Sequence, residues 1–142
     1  MDWTTYTGGS KMIIRNIVSN RIRTPDGTVL HSRHRHDYVT YTDNNGLEYM
    51  VDGGLDYLRR TVHEDDPYTE ISIFDDDPFD LIRRGFAWGT RGKDGKQPLK
   101  WKLLADLDDD HIQAIIDTQE LQPRILKLFQ LEQQWRIDHA TR

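Results

Sequence analysis

Alternating and β-branched hydrophobic positions fill the first part of the chain, and this pattern predicts antiparallel strands. Residues 12–23 are rich in isoleucine and valine and end at residues 24–27, Thr-Pro-Asp-Gly, a turn sequence. Residues 37–42 and 47–51 repeat the pattern on either side of the tight turn Asp-Asn-Asn-Gly at 43–46. We therefore expect two hairpins whose strands form one small antiparallel sheet.

The middle of the chain predicts shorter elements. Residues 55–60 are expected to form a helical turn, and residues 69–74 a strand. Asp77 followed by Pro78 has the composition of a helix start, with Gly85 as the stop. Residues 86–90 and 99–104 then predict a third hairpin.

Helical spacing of apolar residues appears in the last third of the chain. Three acidic residues at 108–110 favour a helix start, and Ile112, Ile115 and Ile116 predict a helix to about residue 119. Pro123 begins a second helix that runs to about residue 139. The sequence thus predicts an α+β fold: a small antiparallel β-sheet of hairpins with two C-terminal helices.

Length and composition bound the fold further. The chain has 142 residues, 36% of them hydrophobic and 30% charged, and no cysteine. We expect one α+β domain over residues 1–142, with lobes at 1–63 and 67–142 as the alternative and the acidic stretch 64–66 as the joint. Without cysteine, disulfides and thiolate metal sites are excluded. No apolar run reaches the length of a membrane span, so we expect a cytoplasmic protein with no membrane partner.

Charge is distributed unevenly around a formal net charge of -5. Residues 1–36 hold six Lys/Arg and two acids, residues 61–82 hold eight acids and no Lys/Arg, and residues 83–102 hold seven Lys/Arg and one acid. This pattern suits a local surface for a small anion, and it makes duplex nucleic acid an unexpected partner. The alternative is that the basic and acidic segments pair with each other or face water.

The most suggestive segment is residues 31–37, His-Ser-Arg-His-Arg-His-Asp. If it is extended, His34 and His36 share one strand face and could begin a metal site, with Asp52, Asp56 or His63 as the missing ligand. The alternative is that one histidine hydrogen-bonds within the sheet while the others are solvated. We assign no metal ligand and no cofactor.

An anion site is the stronger interpretation of the same segment, because the arginine fork binds phosphate in a bidentate manner. The loop 89–96 adds glycines and cations whose backbone amides could reach a phosphate, although it does not match the P-loop pattern and a plain hairpin tip is the alternative. The predicted ligand-binding residues are Arg33, His34, Arg35, His36, Asp52, Arg59, Arg60, Arg91 and Lys93.

Catalysis has less support. None of the serines lies in a nucleophile motif, and no catalytic residue is assigned. His34 or His36 with Asp52 or Asp56 would be the acid–base pair of a small phosphodiesterase or nuclease, the alternative function.

Two stretches carry a resemblance to known families. Arg15-Asn16, Ser32, residues 36–39 (His-Asp-Tyr-Val) and residues 51–60 (Val-Asp-Gly-Gly-Leu-Asp-Tyr-Leu-Arg-Arg) resemble an uncharacterised family of small phage and bacterial proteins. In that family this region carries two cysteine pairs like those of a zinc ribbon. The present chain lacks the cysteines, so a similar scaffold has to rest on hydrophobic contacts and turns.

The second stretch, residues 91–101 with residues 107–116, is similar to a segment of accessory proteins of tailed phages related to T4. The two resemblances imply a phage accessory protein acting in host takeover or anti-defence within the host cytoplasm. We expect it to sequester a nucleotide-like ligand containing phosphate, or to dock on a host protein.

Self-association is the last expectation. The two C-terminal helices are apolar beyond the stripe that packs on the sheet, and the extra residues are Leu121, Leu126 and Leu131. A helix apolar on a second face commonly has a second partner, and symmetric dimers are the commonest arrangement. We predict a homodimer, with a helix wedged inside a monomer as the alternative.

Overall fold

The computed structural model describes residues 2–7, 11–92 and 94–140, and for residues 2–7 and 11–14 it describes the backbone alone. The strands are β1 (Asp2–Thr7), β2 (Lys11–Arg23), β3 (Val29–Ser32), β4 (Val39–Thr42), β5 (Glu48–Asp52), β6 (Arg59–Thr61), β7 (Thr69–Glu70), β8 (Ile73–Phe74), β9 (Ala87–Thr90) and β10 (Lys100–Leu103). The helices are α1 (Phe79–Gly85), α2 (Asp109–Thr118) and α3 (Pro123–Asp138), with a 3-10 turn at Leu104–Asp106 before α2.

The chain divides into two compact units, the first ending at Gly85 and the second beginning at Phe86. The acidic stretch 64–66 lies inside the first unit, where His63 forms a bridge with Asp66. Antiparallel sheets followed by C-terminal helices confirm the predicted α+β fold.

The long strand β2 organises the sheet of the first unit. Its beginning pairs with β1, Ile17 and Ser19 pair with β8, and its end lies between β3 and β7. Alternation along this end buries Asn20 and Ile22 and leaves Arg21 partly and Arg23 fully exposed. The face that carries Asn20 and Ile22 therefore points into the core.

A second sheet of β4, β5 and β6 replaces the single sheet that the sequence pattern predicted. The prediction was wrong because β3 ends at Ser32 and a turn over residues 33–38 takes the chain out of the first sheet. Ile22 and Leu30 of the first sheet form a common core with Tyr49 and Val51 of the second.

Residues 55–60 were predicted as a helical turn, and only their beginning turns. The amides of Asp56 and Tyr57 both donate to the carbonyl oxygen of Gly53, which closes a tight turn. The chain then continues as β6, whose Arg59 pairs with Asp52. The turn therefore returns the chain to β5.

The predicted strand 69–74 is divided into β7 and β8 around Ser72. The hydroxyl of Ser72 accepts the amide of Arg21, which takes the place of a ladder hydrogen bond at the interruption. Each half then pairs with a different part of β2.

In the second unit, the predicted hairpin is present as β9 and β10, and the two predicted helices are α2 and α3. Phe129 of α3 is fully buried and meets Phe86 and Trp88 in edge-to-face contacts, with ring centroids 5.8 and 5.2 Å apart. Ile112 and Ile115 of α2 are buried in agreement with their helical spacing. In the described part of the chain, no helix combines the length and the apolar character needed to cross a membrane.

Candidate functional site

The segment of residues 33–38 forms a turn, so the expected strand face with His34 and His36 does not exist. The carboxylate of Asp37 accepts the amide of Arg33 at 2.8 Å, and the amide of Asp37 donates to the carbonyl of His34 at 3.0 Å. His36 adopts a left-handed backbone conformation, with φ of 63°. This compact turn sends the side chains of its histidines in separate directions.

His36 joins a group of polar side chains that we name the turn cluster: Arg35, His36, Asp52, Asp56, Tyr57 and Arg59. The Tyr57 hydroxyl donates to Asp52 Oδ2 at 3.2 Å and lies 3.0 Å from His36 Nδ1. The hydroxyl donates its proton to Asp52, and the same tyrosine oxygen is within hydrogen-bond distance of His36 Nδ1. Tyr57 thus connects the histidine to the aspartate.

Asp52 is the buried centre of the turn cluster, since it is only 4% exposed. Its Oδ2 also lies 3.8 Å from Arg59, whereas its Oδ1 has no hydrogen-bond partner among the residues that the structure describes. Desolvation, followed by the hydrogen bond to Asp52, raises the pKa of Tyr57. The phenol therefore stays protonated and keeps donating to the carboxylate.

Two buried polar residues hold the turn cluster in place. The amide group of Asn20 donates to the carbonyl oxygens of Asp52, Gly54 and Tyr57 at 3.0 to 3.2 Å. The hydroxyl of Ser32 accepts the amide of Gly54 at 2.9 Å and donates to the carbonyl of Asp37 at 2.6 Å. These bonds attach the turn after β5 to both strands of the first hairpin.

The structure separates the remaining predicted residues of the first unit. Arg60 binds Glu70 with two hydrogen bonds of 3.1 and 2.8 Å and is 12% exposed, so its charge is used within the fold. His34 lies 3.1 Å from the carbonyl of Arg35 and 3.8 Å from Asp37. Arg33 follows β3 directly and is exposed, and its charge acts on His31, which lies on the outer face of the first hairpin opposite Arg21.

That outer face carries what we name the basic strand face: Arg21, Arg23, His31 and Arg33. Arg21 and His31 are direct cross-strand partners, and Arg23 lies two residues along the same strand. Within the described residues, none of these three arginines forms an ion pair, and Arg21 Nε is buried without a hydrogen-bond acceptor. Positive charge therefore accumulates here, with Asp37, which accepts the amide of Arg33, as an acidic residue beside it.

This accumulation of positive charge affects the ionisation of His31. Burial, followed by the positive charges of Arg33 and Arg21, lowers the pKa of His31 to about 4, although Asp37 acts in the opposite direction. Burial and the charge of Arg23 lower the pKa of Arg21 as well. At neutral pH the basic strand face thus holds three guanidinium groups and one neutral imidazole.

Sequence analysis missed Arg21, Arg23 and His31 as candidates, although a signal for them was present. Once the turn at 24–27 fixes the hairpin, alternation places Arg21 and Arg23 on the face opposite Ile22. The hairpin register then sets His31 beside Arg21. Because only the spacing of the histidines along the chain was considered, the pairing of Arg21 with His31 across the two strands was missed.

Arg91 lies in the second unit, in a cleft of about 520 Å³ between the β9 end and α2. The loop beside it does not offer its amides to a phosphate as expected. The amides of Gly92, Gly95, Lys96 and Gln97 donate to acceptors within residues 90–94. Lys93, the other predicted residue of this loop, lies outside the described residues.

No family model, no curated protein and no solved structure matches this chain. In the part of the chain that the structure describes, no three His, Asp or Glu side chains are grouped in a way that could hold a metal ion. The functional argument accordingly rests on the basic strand face, the turn cluster and the cleft.

Proposed function

We propose that this protein binds a small phosphate-containing ligand of nucleotide type on the basic strand face. The observation that carries the proposal is that the charges of Arg33 and Arg21 act on a neutral His31 and that of Arg23 acts on Arg21, with no ion pair to any of the three arginines among described residues. Like charges at neighbouring strand positions repel each other. A bound anion would be attracted to each of these charges and would offset their repulsion.

Ligand size follows from the charge distribution. Guanidinium groups on adjacent strands can each present a planar fork to a phosphate oxygen pair. The chain as a whole carries a net charge of -5, which repels long polyanions. A compact di- or triphosphate fits both conditions, whereas duplex nucleic acid does not.

The setting that we propose is that of a phage accessory protein that sequesters such a ligand in the host cytoplasm. This part of the proposal rests on the resemblance of residues 51–60 and 91–101 to phage families. Docking on a host protein is the other form of the idea, and the unpaired arginines favour the small anion.

The hydrolase alternative depends on the turn cluster. Asp52 with an unpartnered, buried Oδ1 and a tyrosine link to His36 is an arrangement that can move a proton. However, Tyr57 stands between the two groups, so His36 and Asp52 do not form a direct acid–base pair. Binding without conversion is therefore the function that we favour.

The test uses pyrophosphate, ATP and a cyclic dinucleotide as probes for calorimetry with the full chain. We expect a Kd below about 1 mM for pyrophosphate or ATP. Arg33→Glu should weaken binding at least about tenfold, since the side chain is exposed and its removal breaks no described ion pair. Lys127→Glu, the same charge reversal at an exposed position of α3, is the control and should stay within about twofold.

Two further measurements complete the test. A bound anion opposes the field of the arginines, so the pKa of His31, about 4 in the free protein, should rise when pyrophosphate is added and the histidine is followed by NMR. Ligand recovered intact after heat denaturation supports binding, and converted ligand supports the hydrolase. Failure of every probe to bind at about 5 mM, or equal binding by the Arg33 variant, would refute the proposal.

A further inference from the structure

The cleft of the second unit has the size and the lining of a small-molecule site. Its volume of about 520 Å³ falls within the usual range for ligand pockets. One wall is the end of β9 with the loop after it, and the other is a single face of α2. The residues that matter for the argument are Trp88, Thr90, Arg91, Asp110, His111 and Ala114.

The aromatic side of the cleft is held in position. Trp88 is half-buried, and its ring stands edge-to-face against the fully buried Phe129 at 5.2 Å with an interplanar angle of 86°. On the opposite wall, the small side chain of Ala114 is exposed and leaves room in front of the helix. A flat ring that enters beside Ala114 can therefore meet Trp88, whose ring packs against Phe129.

The polar side of the cleft offers both a donor and an acceptor. Arg91 and Asp110 line it from opposite walls, and neither forms an ion pair with another described residue. His111 is oriented by Thr90, whose hydroxyl lies 3.3 Å from His111 Nε2 and accepts the amide of Gly92 at 3.1 Å. A ligand edge that carries donors and acceptors together would satisfy these groups.

The charges of the described residues disfavour a phosphate as the main determinant here. Two carboxylates, Asp94 and Asp110, line the cleft with one described cation, Arg91. The amide of Gly92, which also lines the cleft, is already bonded to Thr90. An uncharged ligand is consequently favoured over a polyphosphate.

We infer that this cleft binds an uncharged heteroaromatic ring of nucleobase type, stacked on Trp88 and hydrogen-bonded along its edge by Arg91 and Asp110. The site is independent of the basic strand face, which lies in the other unit and takes phosphate. A nucleobase has a flat face together with an edge of mixed donors and acceptors, and this combination matches both sides of the cleft.

The experiment uses the nucleosides adenosine, guanosine, cytidine and uridine, which carry no phosphate, with the full chain. Binding is followed by saturation-transfer NMR and by quenching of tryptophan fluorescence. We expect at least one nucleoside to bind with a Kd below about 2 mM. Ala114→Leu, which fills the cleft from an exposed helix position, should weaken that binding at least about tenfold.

Two controls identify the site. Gln113→Leu adds the same side chain to the neighbouring exposed position, which does not line the cleft, and should leave nucleoside affinity within about twofold. Trp88→Phe keeps an aromatic ring against Phe129 and should reduce both the quenching and the affinity.

The outcomes separate this inference from the proposed function. Arg33→Glu should not change nucleoside binding, and Ala114→Leu should not change pyrophosphate binding. If no nucleoside binds at about 10 mM, or if Ala114→Leu and Gln113→Leu bind equally, the inference is overturned whatever pyrophosphate does.

Discussion

Replacement of Asn20 tests how the turn cluster is held. The side chain is fully buried, and its NH₂ group serves three carbonyl oxygens at 3.0 to 3.2 Å. Two donor hydrogens are lost in Asn20→Ala, each worth about 1 kcal/mol net, and the abandoned buried carbonyls add about 1–2 kcal/mol. We expect a loss of about 3–4 kcal/mol in the free energy of unfolding of the first unit.

Denaturation in urea gives the overall change, and hydrogen exchange locates it. Exchange should accelerate in peptides that cover β5 and β6, because Asn20 attaches the turn between these strands to β2. Peptides from α2 and α3, which belong to the other unit, should exchange as in the original protein. Such a local pattern would show that the loss arises from the bonds to Asp52, Gly54 and Tyr57.

Asn20→Asp adds a dependence on pH. The introduced carboxyl would face three carbonyl oxygens in a buried position, so its pKa in the folded state should lie above its unfolded value of about 4. A raised folded pKa gives stability that is present below the unfolded pKa and is lost as pH rises through the folded value. This variant should therefore be closer to the original protein at pH 4 than at pH 8.

The control is Asn44→Asp, the same change at an exposed position of the turn between β4 and β5. It should alter the free energy of unfolding by no more than about 0.5 kcal/mol. If Asn20→Ala is equally mild, or if the stability of Asn20→Asp does not depend on pH, then the three hydrogen bonds do not hold the turn cluster together.

Three further predictions follow from other parts of the chain. The hydroxyl of Thr24, followed by that of Tyr41, holds the pKa of Asp26 well below its usual range, so this carboxylate contributes stability that is lost as pH falls below about 4. Asp26→Asn should therefore flatten acid unfolding between about pH 4 and 2. Leu131 is 38% exposed and Leu126 is half-buried. Light scattering at tens of micromolar should give the mass of a dimer, and substitution of both leucines by Glu should divide it into folded monomers. A monomeric mass for the original chain would refute the homodimer. EDTA should leave the melting temperature unchanged, and a decrease of several degrees with stoichiometric zinc would contradict this.

The sequence predicted the structure best where the spacing of apolar residues agrees with the residues that begin or end an element. The helix α2 has buried isoleucines at 112 and 115, and α3 begins at Pro123, as the spacing and the proline predicted. The first hairpin follows from its Thr-Pro-Asp-Gly turn, where the carboxylate of Asp26 accepts the amide of Thr28 at 3.0 Å. In these segments the local signal and the tertiary packing favour the same structure.

The sequence was least informative where one long-range bond decides the local conformation. The sequence predicted a possible strand over residues 31–37, but β3 ends at Ser32, and bonds of Ser32 and Asp37 close the following residues into a turn whose position depends on Gly54. The strand β6 is only three residues long and forms because β5 provides its partner, so no periodicity within it could reveal it. Arg60 shows the same limit, since its role depends on Glu70 of β7.

The turn over residues 33–38 and the turn after β5 meet at Gly54. Gly53 and Gly54 both have positive φ, and a Cβ on Gly54 would collide with the backbone of His34. The glycines therefore permit the turn after β5 to lie directly against the turn that contains His36, and the Gly54 amide then reaches the Ser32 hydroxyl. Buried hydrogen bonds from Asn20 and Ser32 hold this pair of turns together without cysteine. The position of Tyr57 between His36 and Asp52 is thus a consequence of two glycines and two small buried polar side chains.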